Sequence, residues 1–406
     1  MTLTHKSISL FALLQCSNSA LTAAPDFDLS IHGNATGGIT DGSHQRTGIH
    51  AHDPNKDYNL QGLELGLTLR EGEYIEGFLN MNVFLDQEDK FENEWEEGFL
   101  KFKNLPLPFS GDSGTLEVRA GFYLNRLGTE NNVHLHGWDF INANLSTGMF
   151  LGEEGLRTEG AEVSWMKELD SGHISISGSY GKAMEHEHGH GDEHDDEHED
   201  EHEDEHDDEH DDDEHDDHEE NESLEKAYFN EDLVSVRAQI LHNNTDFYYH
   251  RAGVSFAQGG NGYGRDTSLI GADYTFTWKE NGLESGGKEI SAGIEYFNRN
   301  VEWQDEIDSS INGDTGQQSL ALKTSYAWNE TWRVAARYEW VEGALGDVFI
   351  TDEYQRASLA VTHSRQLSDD WSTVTRLQFN HDKIGNDHNN NLYLQLGFNF
   401  GGSEVR

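Results

Sequence analysis

The segment Leu392–Phe400, LYLQLGFNF, decides the fold. Leu392, Leu394, Leu396, Phe398 and Phe400 take every second place, with Tyr393, Gln395, Gly397 and Asn399 between them. Period two belongs to a β-strand, whose side chains leave alternately from its two faces. The same rhythm returns along the chain. Leu63, Leu65, Leu67 and Leu69 alternate with Glu64, Gly66 and Thr68. Ile270, Ala272, Tyr274, Phe276 and Trp278 alternate with Gly271, Asp273, Thr275 and Thr277. Trp332, Val334, Ala336, Tyr338 and Trp340 alternate with Arg333, Ala335, Arg337 and Glu339. Each run has about the 9–11 residues that a tilted strand needs to cross a bilayer. The chain has only 4 prolines, which suits long uninterrupted ladders.

Working outward, strands are expected over 27–36, 58–70, 74–85, 95–103, 115–123, 156–166, 172–181 and 233–242. The second half continues over 248–257, 267–279, 287–298, 317–328, 332–343, 354–365, 370–381 and 391–400. Short turns such as 71–73, 167–171, 243–246 and 329–331 alternate with long connections such as 37–57, 124–155, the acidic stretch after 184, and 299–316. Short turns on one side and long loops on the other are the habit of outer-membrane barrels. Tyr74, Tyr123, Trp165, Trp278, Trp328, Trp332, Trp340 and Trp371 fall near strand ends, where an aromatic girdle would place them. The rival is a water-soluble β-sandwich or propeller, but soluble repeats show a shared motif and none is evident. The fold class expected is therefore all-β: a transmembrane antiparallel barrel of about sixteen strands, with every long loop outside.

The first 24 residues read as an export signal: His5 and Lys6, the apolar stretch Ile8–Leu14, then small residues at Ala20, Ala23 and Ala24. Residues 25–406 form the barrel domain. Cys16 is the single cysteine, so no intrachain disulfide can form, and it is expected to leave with the signal rather than carry a lipid. Beyond that segment no apolar run is long enough for a transmembrane helix, and a mean hydropathy of -0.76 is no obstacle to a barrel in which half of each strand is polar.

The most unusual composition lies at Glu185–Glu220, EHEHGHGDEHDDEHEDEHEDEHDDEHDDDEHDDHEE. It holds His186, His188, His190, His194, His198, His202, His206, His210, His215 and His218 among Asp, Glu and two glycines. Without an apolar side chain it has nothing to bury and is expected to be a disordered external loop. Imidazole suits zinc and its neighbours, and carboxylate adds charge and oxygen ligands. Histidines four apart could chelate together on a transient helix turn, and in a coil many overlapping ligand sets form. Neither supplies a rigid second shell, so several exchangeable ions of modest affinity are expected. Carboxylates alone could hold calcium or magnesium. Weaker metal candidates are His44, His50 and His52 in GSHQRTGIHAHD, and His134 with His136 in NNVHLHGWDF, both assigned to outer loops.

The formal charge is -50, of which the His/acid run supplies 24 negatives without a Lys or Arg. An acidic remainder excludes nucleic acid as a partner and attracts cations. No nucleophile elbow, phosphate loop or catalytic constellation is present, so no enzyme and no cofactor is expected. Inward faces would carry Lys323, Arg333, Arg337, Arg356 and Arg376 beside Asp273, Glu295 and Glu339, as a water-filled pore needs.

The run Asn131–Trp165, NNVHLHGWDFINANLSTGMFLGEEGLRTEGAEVSW, resembles the porin-like outer-membrane proteins labelled zinc-regulated outer-membrane receptors. Further similar stretches are AGVSFAQGGNGYG (Ala252–Gly264), SLIGADYTFTWK (Ser268–Lys279) and the closing LYLQLGFNFG, in matching order over most of the chain. The resemblance implies a barrel, a link to zinc starvation and a His-rich loop, with His134, His136, Trp138 and Asp139 as family-like positions. Energised receptors have twenty-two strands and a plugged lumen. A chain spent on some sixteen strands leaves no plug, so "receptor" reads as a passive channel. The function expected is a porin-like channel in the outer membrane of a Gram-negative cell that takes part in uptake of zinc or another divalent cation. The alternatives are a general or anion-type porin whose loop only buffers metal, and a non-transporting metal-binding surface protein. Its partners would be outer-membrane lipid and divalent ions, and such a barrel can stand alone or as a homo-oligomer.

Overall fold

The computed structural model describes residues 25–41, 58–85, 90–106, 114–152, 155–184, 226–305, 310–342 and 353–401. The signal segment 1–24, the run 185–220 and His44, His50 and His52 lie outside the described residues. Sixteen strands close into one antiparallel barrel. They are β1 (Asp26–Thr40), β2 (Tyr58–Glu71), β3 (Ile75–Leu85), β4 (Phe91–Pro106), β5 (Thr115–Leu124), β6 (Arg157–Leu169), β7 (Gly172–Ala183) and β8 (Phe229–Thr245). The circuit continues with β9 (Tyr248–Asn261), β10 (Asp266–Lys279), β11 (Glu289–Gln304), β12 (Asn312–Ala327), β13 (Trp332–Glu342), β14 (Tyr354–Gln366), β15 (Trp371–Ile384) and β16 (Asp387–Gly401). Each strand pairs with its neighbours in sequence, and β1 closes on β16 with Ser30 opposite Gly401 and Gly37 opposite Leu394. Closure leaves no edge strand, so each strand has a ladder partner on both sides.

The periodicity of the sequence is the inside–outside alternation of this wall. On β16, Leu392, Leu394 and Leu396 are 41%, 46% and 57% exposed, whereas Tyr393 and Gln395 between them are 7% and 1%. The same inversion runs round the barrel. Leu67, Val163, Ile176, Val254, Ile270 and Leu377 face out, while Thr68, Glu162, Ser177, Ser255, Asp273 and Gln378 are buried inside. Apolar outside and polar inside is what a wall set in hydrocarbon requires. Among the described residues no helix is long and apolar enough to cross a membrane.

Tyr74, Trp328, Trp332 and Trp371 are exposed at the short-turn end, with Trp328 stacked on Trp332 at 6.1 Å, as the aromatic girdle predicts. Tyr123 is a correction: it is fully buried and faces inward, its ring 4.1 Å from the Arg119 guanidinium. Strands also reach further than expected at the other end. β12 begins at Asn312, β16 at Asp387, and β11 runs on to Gln304. Beyond the apolar band a hairpin arm can stay paired without alternating, so polar arms such as DHNN escape a periodicity search.

The larger correction concerns the connection 124–155, assigned to the outside: residues 125–152 and 155–156 are folded into the lumen. Its apolar side chains explain why. Leu127, Leu145, Phe150, Leu151 and Leu156 form one cluster with wall residues Ala183, Phe229, Leu233, Leu269, Phe297 and Val341. Phe140 seats on Ala335 and Ala360. At ~25 cal/mol per Å² of apolar surface removed from water, this burial favours the lumen over an external position.

Candidate functional site: the lumenal loop and its histidine–glutamate cluster

The loop is fastened at its neck and along its length. At the neck the Asn131 amide donates to Asn125 O (2.8 Å) and Leu156 O (3.1 Å) and accepts from Leu156 N (2.7 Å). Beside it Arg126 meets Glu117 (2.9 Å) and Glu162 (3.3 Å). Burial opposes the Arg126 charge, but these carboxylates outweigh it and hold the guanidinium above its ordinary range. Glycine is needed at Gly128, whose φ is 62° and where a Cβ would collide with Glu295 and Phe297. Glu295 accepts from the Thr129 backbone and from Asn144 Nδ2 (3.1 Å), and Glu339 accepts from Leu145 N (2.6 Å). A short helix α1 (Leu145–Phe150) follows, its Asn144 cap accepting from Thr147 N (2.6 Å).

Farther along, Arg376 donates to Trp138 O (2.7 Å) and Phe140 O (3.1 Å). Gln378 accepts from Ile141 N (2.7 Å), Gln61 donates to Ile141 O (3.0 Å), and Arg337 donates to Asn142 O (3.2 Å). Of the inward charges foreseen as pore lining, Arg337, Arg376, Glu295 and Glu339 thus position this loop. Arg356 is paired with Asp382 (2.6 Å) and Arg337 with Glu339 (2.9 Å), within the wall itself.

This anchoring brings His134 and His136 against the β1–β4 wall. His134 Nδ1 lies 2.9 Å from Glu96 Oε2 and 3.8 Å from Glu64 Oε2. Its Nε2 lies 2.8 Å from Glu97 Oε2. His136 Nδ1 lies 2.6 Å from Glu64 Oε2, and its ring stacks on His32 at 3.7 Å. Asn80 Nδ2 donates to Glu96 Oε2 (2.6 Å) and lies 3.0 Å from His134 Nδ1. Ligand atoms of Glu64, Glu96 and His134 all fall within 4.8 Å of one another, and the three residues are 1%, 9% and 4% exposed.

Two adjacent glutamates can share the lumenal face because the strand pairing slips at Asn80/Met81: Asn80 opposes Glu97, and Met81 opposes Trp95. Glu96 is the extra residue of a β-bulge, which re-aims a side chain that strict alternation would turn toward lipid. Trp95 and Leu100 remain outside, at 49% and 52% exposure. Of the metal candidates read from sequence, His134 and His136 are drawn together here, and the others lie outside the described residues. Glu64, Glu96, Glu97 and His32 were not foreseen. The Glu-Glu pair at 96–97 inside an otherwise alternating strand was the available signal.

No family model matches the chain, and no curated protein sequence does. Solved structures do match. An anion-selective porin from Comamonas acidovorans is 13% identical over 93% of this chain and 100% of its own, with a TM-score of 0.52. The outer membrane channel DcaP of Acinetobacter baumannii is 9% identical over 93% and 97%, with a TM-score of 0.53. The trimer form of OmpT, an outer membrane protein of Vibrio cholerae, is 11% identical over 94% and 100%, with a TM-score of 0.50. At such identities the likeness is one of fold: this chain has the fold of porin-like outer-membrane channels.

Proposed function

We propose that this chain is a passive channel in the outer membrane of a Gram-negative bacterium that takes part in uptake of divalent cations, zinc foremost. The histidines of the run 185–220 would gather metal above its mouth. One topological observation supports this reading. Met184 and Lys226, which flank the stretch containing the run, lie at the barrel end from which residues 125–152 enter the lumen. Metal concentrated by the run would therefore be released at the entrance of a polar-lined passage. Ligands without a fixed second shell suit capture followed by release.

A second reading, anion passage, has Arg333, Arg337, Arg356 and Arg376 in its favour. Their charges are already engaged: Arg337 and Arg356 with wall carboxylates, Arg376 with loop carbonyls, and Arg333 with Glu289 at 3.0 Å. The full chain in planar bilayers, under a zinc chloride gradient, decides between them. The expected result is a reversal potential of cation-selective sign, together with zinc entry into liposomes that slows when residues 185–220 are deleted. An anion-selective reversal potential with no zinc entry would overturn the proposal.

A further inference from the structure

We propose that Glu64, Glu96 and His134 form a metal-ion site inside the barrel, and that the ion bound there ties the lumenal loop to the β2–β4 wall. This deepens the channel reading, on which it rests for access of metal to the lumen. The ligand class is a borderline divalent ion of the zinc type, as two carboxylate oxygens and one imidazole nitrogen select.

Four observations converge on the site. Three potential ligand atoms lie within 4.8 Å of one another on residues that water scarcely reaches. Glu64 Oε1 is buried without a hydrogen-bond partner, although its other oxygen meets His136. An unsatisfied carboxylate oxygen in such a place is costly unless a cation completes it.

The third observation is the orientation of His134. Its Nε2 faces Glu97 Oε2 at 2.8 Å, which leaves Nδ1 as the nitrogen turned to the other two carboxylates. Nδ1 lies 2.9 Å from Glu96 Oε2 and 3.8 Å from Glu64 Oε2, with Asn80 Nδ2 at 3.0 Å. A divalent ion between these atoms would take Nδ1 and the two carboxylates as its ligands. Glu97 becomes the carboxylate that fixes the tautomer of a ligating histidine, the usual outer-shell partner of such ligands. Glu97 is itself held, accepting from Leu124 N at 2.8 Å.

The fourth is the bulge that brings Glu96 inward beside Glu97. Ordinary alternation would supply one carboxylate at this level of β4, and the bulge supplies a ligand and its supporting partner together. Three protein ligands leave positions open to water or to an exchanging ion, unlike a closed four-ligand structural site.

The test is anomalous diffraction at the zinc edge from crystals of the full chain grown in zinc, which separates this site from the histidines of the run. A peak is expected at ~2.0–2.2 Å from carboxylate oxygens of Glu64 and Glu96 and from His134 Nδ1. It should vanish in His134→Ala and in Glu64→Gln. The second variant is near-isosteric and lies on a strand, so heat-modifiable migration on gels should show its barrel intact. In solution, zinc should slow amide exchange at residues 131–140 in the parent chain and not in Glu64→Gln. Glu97→Gln should weaken zinc binding at this site by roughly 10–100-fold. No peak here under saturating zinc, or a peak that survives His134→Ala, would overturn the site. A peak in a protein that passes no zinc into liposomes would instead refute the uptake function and leave the site standing.

Discussion

Replacing Arg376 with alanine should loosen the lumenal loop and leave the barrel standing. The guanidinium donates to Trp138 O at 2.7 Å and Phe140 O at 3.1 Å, and braces itself on Gln395 (2.9 Å) and Thr362 (3.1 Å). Hydrogen bonds from a charged donor contribute about 1.5–3 kcal/mol each. Water can re-enter and satisfy the freed carbonyls, so the lower value applies, and two bonds give a loss of about 3 kcal/mol. At ~1.4 kcal/mol per decade, local opening around Trp138–Ile141 should become about a hundredfold more frequent. Native-state hydrogen exchange reads this directly. The amides of Trp138, bonded to Leu135 O, and Ile141, bonded to Gln378, should exchange about a hundred times faster. Ladder amides of β7–β9, on a part of the wall Arg376 does not touch, should be unchanged. Single-channel current should become noisier as the loop samples undocked positions. Unchanged exchange at Trp138 and Ile141 would show that Arg376 does not anchor the loop.

Two other outcomes follow from the wall and from the run. Leu394 lies mid-strand, opposite Leu377 and Gly37, and is 46% exposed on the outer face. Leu394→Arg should therefore cost about 2–4 kcal/mol in reversible unfolding from lipid vesicles, and Leu394→Ile less than about 1.5 kcal/mol; a neutral arginine there would mean that this face does not meet hydrocarbon. A peptide spanning 185–220 should bind zinc ever more weakly as pH falls from about 7 to 5.5, because free imidazole titrates near ~6.5 and must be unprotonated to ligate. Surrounding carboxylates favour imidazolium and move that loss upward in pH, whereas calcium held by carboxylates should persist toward pH 5; a flat zinc affinity between pH 7.5 and 5 would make the histidines bystanders.

The strands were legible because one physical constraint, lipid on one face and water on the other, writes itself at every second residue. All sixteen lie where the alternation puts them, with β2 at Tyr58–Glu71 and β13 at Trp332–Glu342 nearly residue for residue. Length alone, which cannot tell an external loop from one folded inward, misplaces the lumenal loop. Composition would have corrected this. Phe140, Ile141, Leu145, Phe150 and Leu151 have no use on an external loop, whereas 185–220, of similar length, carries no apolar side chain at all. The site itself was half legible. His-x-His marked the loop side, but its partners lie 37 or more residues from His134 in sequence: His134 meets Glu64, Glu96 and Glu97 only because a closed barrel brings β2 and β4 under the loop.

The run 185–220 and the lumenal cluster, the two metal-ligating regions proposed, differ in a way that suits successive tasks. A channel passes an ion when each site binds it well enough to receive it and weakly enough to release it. The run 185–220 offers ten histidines among carboxylates, so its proposed strength is the number of its ligands. The lumenal cluster offers few ligands, each braced: Glu97 behind His134, Asn80 on Glu96, His136 on Glu64. An ion leaving the first for the second would move from avidity to geometry, and the open coordination positions of a three-ligand site would let it leave again. The bulge at Glu96 then has a role that ladder stability does not supply. It costs one regular pairing on β4 and gives the passage a second carboxylate at the place where the loop crosses it.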